Sequence, residues 1–316
     1  MKHCLVGLLA ALLVFPAVAK YAIVLPINPV DEVELDRARL GWMLFNDPKL
    51  SSDGTISCNS CHLLSTSGAD PRPVSFGVEG RAGTRNSPTV FNVKSNYRFF
   101  WDGRAKTLSE QIEGPIHHPD EMNSSWDEIV KYVTSHPVYP QLFNELGISD
   151  IQNEDVKQTL NYFVGTLATP NAPFDLYLNG DDTAISDSAK RGWQAFQSLG
   201  CVYCHQGENI GGQLMQRIGY YGDYEANNVD TGRHNVTQRE SDRLVFRVPS
   251  LRNVALTAPY FHDGGVATLD EAITIMAQLQ LGIEIQPEMR KDLIAFLDSL
   301  TAPPPPVLEA ITNDSP

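Results

Sequence analysis

The sequence predicts a mainly α-helical fold of two small helical units in tandem, on three observations. The pentapeptide Cys58-Asn59-Ser60-Cys61-His62 returns as Cys201-Val202-Tyr203-Cys204-His205. Ahead of each copy stands one pattern, Ala38-x-x-Gly41-Trp42-x-x-Phe45 and then Ala189-x-x-Gly192-Trp193-x-x-Phe196, with apolar residues spaced as on one helix face. Several further segments carry the same helical period, separated by loops rich in Gly and Pro.

Taken in order, residues 1–19 read as a secretory signal: Lys2, an apolar run from Leu5 to Phe15, and Ala17-Val18-Ala19 as the cleavage site. That run is short for a bilayer span. The expected mature chain begins near Lys20 and is exported to the periplasm, leaving Cys4 behind, so that its four cysteines all lie in the two pentapeptides. Residues 31–46 form the first expected helix, stopped by Asn46-Asp47-Pro48. Pro71 to Gly103 reads as loop packed over a cofactor, and 154–168 as a helix with Val156, Leu160, Phe163 and Leu167 on one stripe. Thr169 to Pro173 breaks it and marks a boundary between a unit spanning 20–175 and one spanning 176–302. The second unit opens with a helix from Asp187 to Leu199 behind the cap Ser186, passes a polar stretch over 207–245, and closes with helices over 269–280 and 287–300. Residues 303–316, which start with four prolines, are expected to be a disordered tail. A formal charge of −14 argues against nucleic acid or an anionic membrane as partner.

Cys-x-x-Cys-His is the attachment signature of c-type haem: two thiols add to the two vinyl groups of one porphyrin, and the adjacent imidazole reaches the iron. A thiol–disulfide motif does not need the histidine. One zinc site would have to join two distant cysteine pairs and leave two histidines without a role. The repeat is therefore read as a duplicated cytochrome c unit carrying two covalent haems, ligated by His62 and His205. The sixth ligand decides what each iron does: methionine closes it for electron transfer, whereas an open position admits peroxide or oxygen. Met276 is the candidate for the second haem, although it shares a helical face with Leu269 and Ile273, where a methionine commonly fills core.

Beyond these motifs, the chain resembles the bacterial di-haem cytochrome c peroxidases over nearly its whole length. The resemblance rests on Arg85-Asn86-Ser87-Pro88-Thr89-Val90-Phe91-Asn92, Phe100-Trp101-Asp102-Gly103-Arg104, and Glu110-Gln111 through Gly114-Pro115 to Glu121-Met122. It continues in Pro249-Ser250-Leu251-Arg252-Asn253, Thr257 to Gly264, and Met276 to Gly282. It implies that Met276 ligates a high-potential C-terminal haem fed by a small cytochrome c or cupredoxin. It further implies that Trp101 lies between the haems, and that Glu121 and Gln111 form the distal pocket of a peroxidatic N-terminal haem. Asn86 with the main-chain oxygens of Thr257 and Pro259 would hold calcium between the units, and the protein would be a homodimer. Heterolysis of hydrogen peroxide needs a proton carried from one oxygen to the other, a task suited to a carboxylate such as Glu121. His262 would support the second haem pocket.

One departure stands out. Counting back from Arg85-Asn86 places Val78 where many relatives carry a histidine that ligates the peroxidatic iron until reduction of the other haem expels it. Valine has no donor atom. Either that haem rests open, or His117 or His118 caps it. Two rival functions stay in view: a pure electron-transfer cytochrome, and a related enzyme that oxidises tryptophans of a partner protein to mature a quinone cofactor.

Overall fold

The structure is a computed structural model and describes residues 23–224 and 230–313; the expected signal segment lies outside them. It is mainly helical, with helices α1 (Leu35–Asn46), α2 (Leu108–His117), α3 (Trp126–Ser135), α4 (Tyr139–Glu145), α5 (Asn153–Gly165), α6 (Pro173–Leu178), α7 (Asp187–Ser198), α8 (His234–Thr237), α9 (Leu269–Met276), α10 (Pro287–Asp298) and α11 (Pro306–Asn313). The polar stretch expected to lack regular structure contributes a short antiparallel pair, β1 (Met215–Arg217) with β2 (Val245–Arg247). Among the described residues no helix is long and apolar enough to cross a membrane.

Two apolar cores organise the chain. The first gathers Leu44, Phe45, Ile129, Phe143, Val156 and Phe163. The second gathers Phe174, Phe196, Leu293, Phe296 and Leu300. The repeated Ala-x-x-Gly-Trp-x-x-Phe pattern explains both. In α1 a Cβ on Gly41 would lie 2.4 Å from Phe163 Cβ and 2.6 Å from the Thr159 oxygen, so α1 and α5 cross in near backbone contact. In α7 a Cβ on Gly192 would lie 1.9 Å from the Asp292 oxygen of α10. The phenylalanine one turn further then meets its partner ring edge-on or tilted, Phe45 on Phe163 at 5.5 Å and Phe196 on Phe296 at 5.1 Å.

The ends of the chain cross over. Val24 belongs to the second core, and the segment around it is tied there by Arg252, whose Nη2 donates to the Leu25 oxygen at 2.8 Å. Arg252 in turn pairs with Asp175 at 2.6 Å, both almost fully buried. The tail expected to be disordered is instead helical over α11, with Val307 and Ile311 buried in the first core beside α1. The prolines that suggested disorder stop α10 from continuing, and Pro306 opens the new helix at a position where its missing N–H costs nothing. Two other helices depart from expectation at one end. The first begins at Leu35 rather than 31 because Glu32 sits at φ 44, outside helical space. Regular α9 ends at Met276 and widens into a π-turn over Ala277–Leu281, closed by Gly282 at φ 67.

The duplication extends further than the sequence reading recognised. Asn92 (φ 60) before the 3-10 turn Val93–Ser95 matches Asn253 (φ 59) before Val254–Leu256. The bridge Phe99–Ala105 around Trp101 matches the bridge Tyr260–Val266 around His262, with Phe100 and Phe261 both at positive φ. Without a gap, Asp102-Gly103 then runs into the cap Thr107 of α2 as Asp263-Gly264 runs into the cap Thr268 of α9. In that register Trp101 and His262 are counterparts, as are Pro115 and Met276.

Candidate active site

Each pentapeptide opens on its own cavity. Cys58, Cys61 and His62 line one of about 760 Å³; Cys201, Cys204 and His205 line another of about 320 Å³. None of the four cysteines is paired in a disulfide, and burial pushes Cys58 up to about 12 and Cys201 up to about 11. Burial likewise holds both imidazoles neutral: His205 is lowered to about 4 and His62 is lowered, opposed in each case by a main-chain oxygen of the counterpart prolines Pro88 and Pro249. His205 Nδ1 lies 3.3 Å from the Ile210 oxygen, which leaves Nε2 as the free ring nitrogen. Two thiols and one neutral imidazole on an enclosed, largely apolar wall fit a covalently held porphyrin at both places. Among the described residues no three His, Cys, Asp or Glu converge as a cage for a metal ion.

Met276 lines the smaller cavity together with His205, half-buried against the cluster of Trp101, Ile218 and Phe246. Its counterpart Pro115 lines the larger cavity, and proline offers no sulfur. Gln111 and Glu121 line that larger cavity too. Gln111 projects from α2, which is capped by the Thr107 hydroxyl accepting from Glu110 N at 3.1 Å. Glu121 follows α2 in a tight turn, its N–H donating to the His118 oxygen at 3.0 Å. Its side chain is 40 % exposed, with Oε1 4.0 Å from His118 Nδ1. Burial pushes the Glu121 carboxyl above the ordinary carboxylate range, against the opposing pull of His118 and Arg104.

The loop that lacks the histidine is folded onto this glutamate. Val78 is fully buried and its N–H donates to the Glu121 oxygen at 2.9 Å. A Cβ on Gly77 would come within 2.2 Å of the Asp120 oxygen and 2.6 Å of Glu121 Cα. Asp53 Oδ2 accepts from Glu79 N at 3.0 Å, and Arg81 donates to the Pro119 oxygen at 2.7 Å. Of the two candidate capping histidines only His118 lines the cavity. His117 is turned away, its ring between Glu113, the Ser124 oxygen and Trp126.

The two cavities share a wall. Trp101, Asn86 and Arg247 line both. Trp101 is buried, donates from Nε1 to the Asn86 oxygen at 2.8 Å, and stands 6.4 Å edge-on to His262. His262 is itself buried, stacks on Phe246 at 4.2 Å, and accepts at its main-chain oxygen from Asn86 N at 2.8 Å. Asn86 Nδ2 donates to the Arg72 and Pro73 oxygens at 3.1 and 3.3 Å, which leaves its Oδ1 as a hard oxygen donor on the cavity that Thr257 and Pro259 also line. A buried charge network closes the wall from the side: Arg85 holds Asp102 and Asp230, both at 2.6 Å, across the two halves of the chain. Arg104, met in the sequence only within a matching stretch, and Arg247 were given no role by the sequence. The internal repeat from Asp102-Gly103 onward would have directed attention to the first; nothing in the sequence alone marks Arg247 as buried.

Known proteins resemble this chain in sequence and in fold. The family model for the di-haem cytochrome c peroxidase matches residues 35–183. The cytochrome c551 peroxidase of Nitrosomonas europaea is 43% identical over 296 residues, covering 92% of this chain and 89% of that protein. Cytochrome c551 peroxidase of Pseudomonas aeruginosa is 42% identical over 299 residues, covering 92% and 86%. Among solved structures, a MauG-like protein associated with microbial copper homeostasis superposes with a TM-score of 0.79 at 28% identity, covering 93% of this chain and 96% of that one. The chain thus belongs to the di-haem cytochrome c peroxidase family of oxidoreductases.

Proposed function

We propose that the protein reduces hydrogen peroxide to water in the periplasm, drawing electrons from a small cytochrome c or cupredoxin. Haem c, when bound, would supply at each cavity an iron able to carry electrons and, where no further side chain closes it, to take up peroxide. His62 with Cys58 and Cys61 would hold the first haem, and His205 with Cys201 and Cys204 the second. The single observation that carries the proposal is the asymmetry of the two cavities. Met276 lines one and would offer its sulfur to a haem held there, while its counterpart in the other is Pro115, accompanied by Gln111 and Glu121.

In this reading Glu121 takes the proton from one peroxide oxygen and delivers it to the departing one, leaving as water. Gln111 orients the substrate by its amide. Trp101, buried in the shared wall and packed in the cluster that includes Met276, spans the gap that electrons must cross. Asn86 and the main-chain oxygens of Thr257 and Pro259 suit calcium, a hard cation that takes carbonyl and amide oxygens. The two halves would then be held by that ion as well as by Arg85. As the chain has the buried Val78 in place of the mobile histidine, the peroxidatic site is open without prior reduction. His118 is the remaining side chain able to close it.

The test is peroxide turnover by Glu121→Gln. Turnover drops by a factor of about 10²–10⁴, with haem content and the absorption spectrum unchanged. Native turnover in that variant would remove Glu121 from the mechanism. Val78 also favours a second reading, oxidation of a partner protein's tryptophans, since that chemistry likewise uses an open haem. Met276 disfavours it, and peroxide consumption with a small redox donor and no protein substrate separates the two.

A further inference from the structure

Arg247, the last residue of β2, is only 5 % exposed, and it lines both cavities. Its main-chain N–H donates to the Trp101 oxygen at 2.7 Å, which fixes the residue in the shared wall. The guanidinium has a single long bond, from Nε to the Phe100 oxygen at 3.4 Å. Among the described residues no carboxylate pairs with it. Two acids that line the larger cavity with it are taken, Asp102 by Arg85 and Arg104 and Asp230 by Arg85. Burial alone acts on this group, lowering it to about 10, and no neighbouring acid opposes that shift. Even so it remains a cation at neutral pH. A buried cation with unused donors requires an anion, and among the described residues none is supplied.

Each haem brings two propionate carboxylates, which suit a forked guanidinium. We infer that Arg247 is the shared counter-cation for haem propionates at the wall between the two cavities, a positioning residue whose one charge sets both reduction potentials together. The inference rests on the two-haem reading but not on peroxide chemistry. An arginine held for structure alone would spend its donors on main-chain oxygens, and Arg247 reaches one of these, weakly. A positive charge beside a haem opposes its oxidised, more positive form, so losing that charge lowers the midpoint potential. It also frees the propionate to hold a proton, which makes the midpoint depend on pH.

The experiment is a potentiometric titration followed by visible spectra on the holoprotein, Arg247→Gln and Arg247→Lys, with haem counted per chain in each sample. In the unmodified protein both midpoints stay constant across the neutral pH range. In Arg247→Gln carrying two haems both midpoints shift to more negative values and fall with rising pH, and Arg247→Lys restores most of the loss. A midpoint that stays put in Arg247→Gln, at either haem or both, overturns the shared role. Midpoints of the unmodified protein that fall steeply with pH, or that move on adding phosphate, also overturn it, and this arm holds even if Arg247→Gln fails to fold. Fewer than two haems in the unmodified protein would instead overturn the underlying reading. Peroxide turnover, measured separately, leaves the two conclusions distinguishable.

Discussion

Glu121 is positioned by backbone rather than by side-chain partners. Its oxygen accepts from Val78, its N–H bonds back to His118, and Gly77 lies against its Cα, while its carboxyl faces the cavity with His118 no closer than 4.0 Å. Such a group is rigid at its root and free at its tip, as a proton carrier needs to be. Because burial pushes the carboxyl above the ordinary range, it begins to take up a proton at a pH where an exposed glutamate would still be ionised. Turnover should therefore decline on the acid side starting above the usual carboxylate range. Stopped-flow rates measured against pH should show this limb in the native protein and lose it in Glu121→Gln. A limb at the ordinary glutamate position would show that burial does not govern the group. The residue types at the site were legible in the sequence because haem attachment needs fixed spacings, and Cys58, His62, Cys201 and His205 reveal themselves by pattern alone. Arg247 carries no such pattern; its place depends on how distant segments pack.

At the scale of elements, the helix crossings decide how each half of the chain holds its shape. Gly192 allows α7 and α10 to meet with backbone nearly touching backbone, and a methyl group there has nowhere to go, since the obstructing atom is a main-chain oxygen 1.9 Å away. Gly192→Ala should destabilise the protein by about 1–3 kcal/mol or more, read as a lower urea midpoint with unchanged slope. A neutral result would mean the two helices can separate freely. The sequence carried the glycine, tryptophan and phenylalanine of this motif openly, and helical periods placed five of the helices to within a few residues. It could not show that α11 forms. Val307 and Ile311 gain stability only by burial against α1, a contact far away in sequence, while the adjacent prolines suggest disorder locally. Ile311→Ala should cost about 2–4 kcal/mol by the same denaturation measurement, and a loss below a few tenths would restore the disordered tail.

The whole molecule is a duplicated unit whose copies have diverged at a few matched positions. Trp101 answers His262, and Pro115 answers Met276; the shared wall is tied by Arg85 to Asp230 and by Trp101 to Arg247. The two halves therefore keep one framework while offering different groups to their cofactors. Much of this duplication was hidden in the sequence because only a few residues recur, whereas backbone conformations recur in full: left-handed Asn92 and Asn253, and the matching bridges around Trp101 and His262. The proposed division of labour between the cavities rests on one matched position, where Met276 offers a sulfur and Pro115 offers no donor. Electron paramagnetic resonance of the fully oxidised holoprotein tests it most directly. The expected spectrum holds one low-spin signal from an iron with histidine and methionine, abolished in Met276→Ala, and one high-spin signal from an iron with His62 alone. Two low-spin signals, with both irons closed at rest, would contradict it.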